Sequence, residues 1–148
     1  MITITVDTAR FDRKMADLPA RMAAAKKRAL EDIGQAVVSR TTLAFRTPSI
    51  RPLRWEPRKD KATHPLLIKH PHGGLRQSIR WELDGPDAVV VGTDKEYAKY
   101  HQFGTRRMPA RPFFPITQYG RLTPEMENKI KRVVERDYRE ELEKLGDQ

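Results

Sequence analysis

The spacing of apolar positions changes several times along the chain. Residues 2–7 read Ile-Thr-Ile-Thr-Val-Asp, and this period of two predicts a strand with one apolar face. From residue 8 to about residue 45 apolar positions recur every three or four residues, which predicts helix. Pro19 suits the first turn of a helix, so we expect a short helix followed by a long one.

Residues 46–74 lose this periodicity and contain five prolines. Proline breaks helices and removes a donor from strands, so the pattern predicts a long loop. We call residues 46–74 the basic arm, because nine basic residues stand against two acidic ones between Arg46 and Arg80. Loops of this length inside a compact domain are usually functional or disordered.

The second half of the chain carries local signals for four elements. Residues 78–83 and 88–92 flank Asp-Gly-Pro-Asp, which predicts an antiparallel hairpin. Tyr97 and His101 lie at helical spacing before Gly104, which predicts a one- or two-turn helix that stops at the glycine. Residues 123–145 open with Thr-Pro-Glu, a helix start, and carry an apolar stripe of Met126, Ile130, Val133 or Val134, Tyr138, Leu142 and Leu145.

These elements predict an α+β fold in a single domain over residues 1–148. We expect a small, mostly antiparallel sheet from residues 2–7, 78–84 and 88–93, with 113–117 as a further strand. A long N-terminal helix and the C-terminal helix would pack against this sheet, and the basic arm would project from it.

The chain has 29 Lys and Arg against 20 Asp and Glu, which gives a net charge of +9. Such an excess attracts phosphate groups or an acidic protein surface, although it also fits a solvated loop. The absence of cysteine excludes disulfides, thiolate metal sites and a cysteine nucleophile. Apolar runs are far shorter than the roughly 18 residues of a membrane span, so we expect a cytoplasmic protein without a membrane contact.

No motif for catalysis, cofactor binding or metal binding stands out. His64, His70 and His72 lie close together in sequence but have no carboxylate between them, so we expect loop histidines rather than a metal site. The serines lie outside any nucleophile elbow, and no phosphate-binding glycine loop is present. We therefore expect no enzyme. Trp55 in the basic arm either folds back onto the domain or anchors a partner.

Two segments carry a resemblance to a known family. They are Tyr97-Ala98-Lys99-Tyr100-His101-Gln102-Phe103-Gly104-Thr105 and Met108-Pro109-Ala110-Arg111-Pro112-Phe113-Phe114-Pro115. Together with Trp55, Leu66-Leu67, the Gly-Leu-Arg-Gln-Ser-Ile run at 74–79 and the valine-rich strand at 89–93, they resemble the tail-completion or virion-morphogenesis family of long-tailed phages. The resemblance covers about residues 50–117.

The resemblance implies a non-enzymatic virion protein that completes the tail and joins it to the head or neck. It also implies an oligomeric ring, hexameric in related assemblies, that contacts tail-tube and neck or connector proteins. With a charge of +9 on each copy, such a ring would border passing DNA through nonspecific attraction of phosphates. The protein would be in host cytoplasm during assembly and then in the virion. As structural signature residues it implies Tyr97, His101, Phe103, Gly104, Pro112 and Phe113.

We expect two sets of contact residues on the basic arm and on residues 105–111, which we call the rim. The partner or subunit interface would use Trp55, Arg106, Arg107, Arg111 and Phe114. Arg111 would hold an acceptor, and Phe113 would pack within the domain. DNA or an acidic partner would meet Arg51, Arg54, Arg58, Lys59 and Lys61. The alternative is a stand-alone nucleic-acid-binding module that uses residues 46–80, with Trp55 stacked on a base.

Overall fold

The fold of this computed structural model is described for residues 9–63, 65–68 and 74–146, with the backbone alone for residues 9–15. The elements are α1 (Ala9–Ala44), a 3-10 turn (Pro48–Ile50), α2 (Gly74–Gln77), β1 (Arg80–Asp84), β2 (Ala88–Gly92), α3 (Ala98–Phe103) and α4 (Pro124–Gly146). They confirm the predicted α+β fold, with one long helix at each end and a hairpin between them. The strand predicted at residues 2–7 lies outside the described residues.

α1 is one continuous helix, and the predicted break before Pro19 is wrong. A proline inside a helix removes one hydrogen bond and crowds the carbonyl four residues before it. The alanines around it, Ala16, Ala20 and the run at 23–25, are the strongest helix formers. The helical preference of the flanking turns therefore carries α1 through the proline.

α4 lies antiparallel to α1, as three ion pairs show. Arg40 Nη2 lies 2.6 Å from Glu125 Oε2, Asp32 pairs with Arg136, and Arg28 Nη2 lies 3.2 Å from Glu141 Oε2. Thr123 begins α4 as predicted, because its Oγ1 accepts a hydrogen bond from the Met126 N–H at 3.4 Å. The buried apolar side chains of the two helices include Ala25, Ala29, Val37, Met126 and Val133.

The predicted apolar stripe of α4 is wrong towards the C-terminus of the helix. Leu142 is 54% exposed, whereas Asp137 and Glu141 are buried. The ion pair of Glu141 with Arg28, and the hydrogen bond from Arg136 Nε to Asp137 Oδ1 at 2.9 Å, give both acids cationic partners. Buried carboxylates require such partners, so the last turns of α4 pack through charge pairs.

β1 and β2 form the predicted hairpin, in antiparallel register with Trp81 opposite Val91. The hairpin packs on α1 where that helix has a glycine. A Cβ on Gly34 would lie 2.7 Å from Trp81 Cγ and Cδ2, closer than carbon atoms pack. The missing side chain at Gly34 therefore allows the indole to lie directly on the helix backbone.

The expectation that residues 113–117 add a strand is wrong, since the described part of the chain has a two-stranded sheet. Ile116 forms only an isolated bridge with Leu122. The backbone N–H groups of Phe113 and Phe114 instead donate to Gln102 Oε1, each at 3.0 Å. A side-chain amide thus takes the place of a neighbouring strand.

The hydrophobic core joins the end of α1 to the basic arm. Its buried members are Phe45, Trp55, Leu75, Ile79, Ala98 and Phe113. The Phe45 ring meets Trp55 edge to face at 6.0 Å between centroids and lies 5.2 Å from Phe113, within the range of favourable aromatic pairs. The arm is therefore anchored to the domain at its middle. Among the described helices, none is both long and apolar enough to cross a bilayer.

Candidate functional site

A cleft of about 730 Å³ opens where the basic arm, α3 and the rim meet. Its walls come from the arm on one side and from α3 and the rim on the other. The cleft is lined by Arg58, Lys59, Asp60, Leu66, Leu67, Ile68, Gly74, Leu75, Tyr97, His101, Arg107, Met108, Pro109 and Arg111. The fold thus brings predicted contact residues of the arm and of the rim to one place.

The rim owes its position to the end of α3. Gly104 ends the helix with a φ of +74°, a conformation that glycine adopts readily. A Cβ there would lie 2.8 Å from the backbone N of Ala110, so the rim folds closely over the helix end. The Arg111 N–H then donates to the His101 carbonyl at 2.6 Å. The predicted helix and its end at Gly104 are confirmed, and together they place the rim in the wall of the cleft.

Arg111 fastens the rim to the arm. Its Nε and Nη2 donate to the Glu56 carbonyl at 3.3 and 3.2 Å. The acceptor that we expected Arg111 to hold is therefore a backbone group of the same chain. Because one guanidinium closes two segments far apart in sequence, this contact sets the width of the cleft near Glu56.

Two of the predicted contact residues are turned into the fold. Trp55 is 5% exposed, and its Nε1 donates to the Pro112 carbonyl at 2.8 Å. The Arg51 guanidinium lies 3.7 Å from the Trp55 ring centroid and donates through Nε to the Ala44 carbonyl at 2.7 Å. Burial lowers the pKa of Arg51. Of the two alternatives for Trp55, the side chain therefore folds back onto the domain. Arg51 caps the end of α1 instead of facing outward.

The remaining predicted cations point to solvent or line the cleft. Arg58 lines the cleft and pairs with Asp60, at 2.5 Å between Nε and Oδ1. The exposed ones are Arg54, Lys59, Lys61, Arg106 and Arg107. Since Asp60 is the one acid among the described residues that line the cleft, the cleft carries a net positive charge and favours an anionic group.

His101 lies in the wall of this cleft. Burial, and secondly the charge of Arg111, lower its pKa. Its Nδ1 is buried and has no hydrogen-bond partner within the described part of the chain. The Tyr97 ring meets the imidazole edge to face at 5.9 Å. The histidine is therefore held neutral around neutral pH beside a cationic cleft.

A second concave surface, which we call the groove, has a volume of about 1030 Å³. It runs from β2 across α1 and α3 to the segment before α4, and its apolar lining includes Ile33, Val37, Val89, Val91, Phe103, Phe114, Ile116, Leu122 and Ile130. Phe103 is 56% exposed, and the half-buried Phe114 lies 4.8 Å from the Phe113 ring. Phe113 packs within the domain as expected, whereas Phe114 opens into the groove.

The sequence interpretation missed the groove. Tyr100 and Phe103 are three residues apart on α3 and leave 46% and 56% of their surfaces exposed. Two large exposed rings on so short a helix are a usable signal for a surface, but of the two only Phe103 is singled out from the sequence, as a signature residue, and no surface is predicted there. Residues 64 and 69–73, with the three loop histidines, lie outside the described residues. Among the residues that the structure describes, no group of three or more His, Asp or Glu is placed to hold a metal ion.

Comparison with known proteins gives one match. A family model described as the phage virion morphogenesis family matches residues 6–137. The match covers the whole of the basic arm, the rim, the cleft and all but the last turns of α4. No curated protein and no solved structure matches the chain.

Proposed function

The chain belongs to the phage virion morphogenesis family and is a structural virion protein, and we propose that it completes the phage tail and joins it to the head or neck. Copies would assemble into an oligomeric ring whose neighbours are tail-tube and neck or connector proteins. In this role the protein would dock other virion proteins and would catalyse no chemical reaction. Its place would be the head-proximal end of the tail in the virion.

The observation that supports this proposal most is the cleft. The two segments that resemble the tail-completion proteins form its α3 and rim wall, and the basic arm forms the other wall. Hydrogen bonds from Arg111 to Glu56 and from Trp55 to Pro112 hold the two walls together. A charged recess whose walls are joined by hydrogen bonds suits recognition of another protein, because a preorganised surface loses little entropy on binding.

The charge of the cleft defines the partner's chemistry. Lys59 and Arg107 are exposed at the cleft, so an acidic surface of a tail or neck protein is the expected occupant. In a ring, the charge of +9 per chain would be repeated around the channel. Such a border attracts DNA phosphates without reading sequence, and we propose this as a secondary effect of the same charge.

Deletion of the gene followed by complementation tests the proposal. Loss of the protein should leave heads and tails that fail to form stable particles, and wild-type protein should restore them. The double variant Lys59→Glu/Arg107→Glu, which reverses the charge of the cleft, should lower the titre of infectious particles at least tenfold. Lys129→Glu/Arg139→Glu makes the same charge change on the exposed face of α4 and should restore particles like the wild type.

Intact virions from the deletion strain would refute a role in joining heads to tails. Equal titres from the two charge-reversal variants would refute the role of the cleft. The alternative of a stand-alone nucleic-acid-binding module requires Trp55 to stack on a base, but Trp55 is buried in the core. That alternative requires tight, strongly salt-dependent DNA binding by an isolated monomer, which a titration at two salt concentrations measures.

A further inference from the structure

The groove begins at the outer edge of β2. β2 pairs with β1 on one side, and within the described residues no strand pairs with its other side. Val89 and Val91 of β2 line the groove, and Ile33 and Val37 of α1 continue its floor. Ile130 of α4 lies on the same surface. An open strand edge beside an apolar floor is the arrangement to which an extended segment adds as a further strand.

Such a segment needs apolar side chains at alternate positions. The side chains that face the groove would have to be apolar, and those between them would face solvent. Residues 2–7, with the order Ile-Thr-Ile-Thr-Val-Asp, have this alternation. Branched residues are also those that favour strands. The segment therefore matches both the backbone edge and the apolar floor.

The same chain cannot place residues 2–7 in its own groove. At about 1.5 Å per residue, the axis of α1 from Ala9 to Ile33 measures about 36 Å. Ile2 is joined to Ala9 by a stretch of chain that extends at most about 25 Å. The connection is too short to return along α1 to the floor at Ile33 and Val37.

The N-terminal turns of α1, which follow residues 2–7, point away from the body of the domain. Arg28 pairs with Glu141 near the end of α4, so about the first four turns of α1 extend past that end. Ala25 is the first fully buried residue of α1 whose side chain is described. The helix thus projects its N-terminus away from the body, towards the position of another molecule.

We propose that residues 2–7 of one copy add as a strand to the edge of β2 in a neighbouring copy, where Ile2, Ile4 and Val6 fill the groove. This inference rests on the proposed ring. The donated segment and the accepting groove are different surfaces, so every copy both gives and receives. Contacts of this head-to-tail kind form a ring when the rotation between copies closes.

Engineered cysteines test the contact directly, since the chain has none of its own. Chains with Ile4→Cys are mixed with chains that carry Val89→Cys or Val91→Cys, and the mixture is oxidised. We expect a disulfide-linked dimer from at least one of the two groove-facing positions. Val90→Cys, on the opposite face of β2 and 47% exposed, is the control and should give at least tenfold less dimer, because a disulfide requires close Cβ atoms.

Two outcomes would overturn the inference. One is a ring by native mass in which neither groove-facing position yields a dimer above the Val90→Cys control. The other is a chain with both Ile4→Cys and Val89→Cys that closes a disulfide within itself. Either result leaves the proposed ring intact. A protein that stays monomeric in the presence of tail-tube protein would instead overturn the proposed function.

A second pair of variants uses the two faces of the segment. Ile2→Asp/Ile4→Asp places charge on the groove-facing side, and Thr3→Asp/Thr5→Asp places the same charge on the solvent side. By native mass we expect the first variant to lose the ring and the second to keep it, with unchanged far-UV circular dichroism in both. Equal assembly of the two variants would contradict the proposed orientation of the strand.

Discussion

The indole Nε1 of Trp55 donates a hydrogen bond to the backbone carbonyl of Pro112 at 2.8 Å. The two residues are 57 positions apart, and both are buried. Through this bond the basic arm, which has little regular structure, is fixed to the segment that carries the family resemblance. The shape of the cleft between them depends on it.

Replacement of Trp55 by phenylalanine should destabilise the protein. Trp55→Phe keeps an aromatic ring against Phe45 but leaves the buried Pro112 carbonyl without its donor, which costs about 1–3 kcal/mol. Urea denaturation measures the loss in the free energy of unfolding. Leu53→Ala, at a side chain that is 56% exposed, is the control and should change that free energy by less than about 0.5 kcal/mol. Superimposable curves for Trp55→Phe and the wild type would contradict the prediction.

Gly34→Ala should also destabilise, contrary to the usual effect in a helix. Alanine in a helix interior is ordinarily about 1 kcal/mol better than glycine. Here the new methyl would lie 2.7 Å from the Trp81 ring, and such overpacking costs about 1–3 kcal/mol. Thermal unfolding should therefore give a lower Tm. In a Trp81→Leu background the same substitution should become neutral or favourable. Gly146→Ala is the control for the substitution itself, because a Cβ there meets no other described part of the protein within 4 Å beyond its own helix backbone and its chain neighbours.

The contribution of Glu141 to stability should depend on pH. The hydrogen bond from Arg28, and secondly contacts with Lys144, hold the pKa of Glu141 below its usual value. A carboxyl with a lowered pKa in the folded state stabilises above its unfolded pKa of about 4.3, and this gain is lost as pH falls through the folded value. The free energy of unfolding should therefore differ between the wild type and Glu141→Gln at pH 7 and converge in acid. Glu143→Gln, at an exposed site on α4, should show no such convergence, and a constant difference for Glu141→Gln at all pH values would refute the assignment.

His101 should report occupation of the cleft. Burial and the charge of Arg111 lower its pKa, so NMR titration should place that pKa below the ordinary value of about 6.5. Arg111→Gln removes a neighbouring positive charge and should raise the pKa of His101, whereas Arg107→Gln should have a smaller effect. A short acidic peptide bound in the cleft should also raise the pKa of His101, because an anion stabilises the imidazolium. An ordinary or raised pKa in the free protein would show that the imidazole is not desolvated as described.

The elements with local signals were predictable from sequence. The hairpin followed from alternation around a turn, α3 from Gly104, and α4 from the Thr123 cap. Each of these signals acts over a few residues. They needed no knowledge of what packs against them, and the structure confirms them within a residue or two at most boundaries.

The errors come from contacts between distant segments. Residues 113–117 have strand-like composition, but Gln102 satisfies their first amides. Leu142 follows the helical stripe, but the register of α4 against Arg28 buries Glu141 in its place. For the candidate site, the sequence predicted most of the cations that line the cleft. It did not predict which of the cations bond to groups of the same chain. Arg51 caps α1, and no local pattern shows that.

Gln102 also bears on the order in which the chain folds. Its bonds to Phe113 and Phe114 bridge only 11 and 12 residues, whereas the pairs between α1 and α4 bridge 85 to 113. Short-range contacts form sooner, since less chain entropy is lost in closing them. The unit formed by α3 and the rim would thus fold early, before α1 and α4 have packed against each other. A newly made subunit would then present a finished recognition element before its own body has closed.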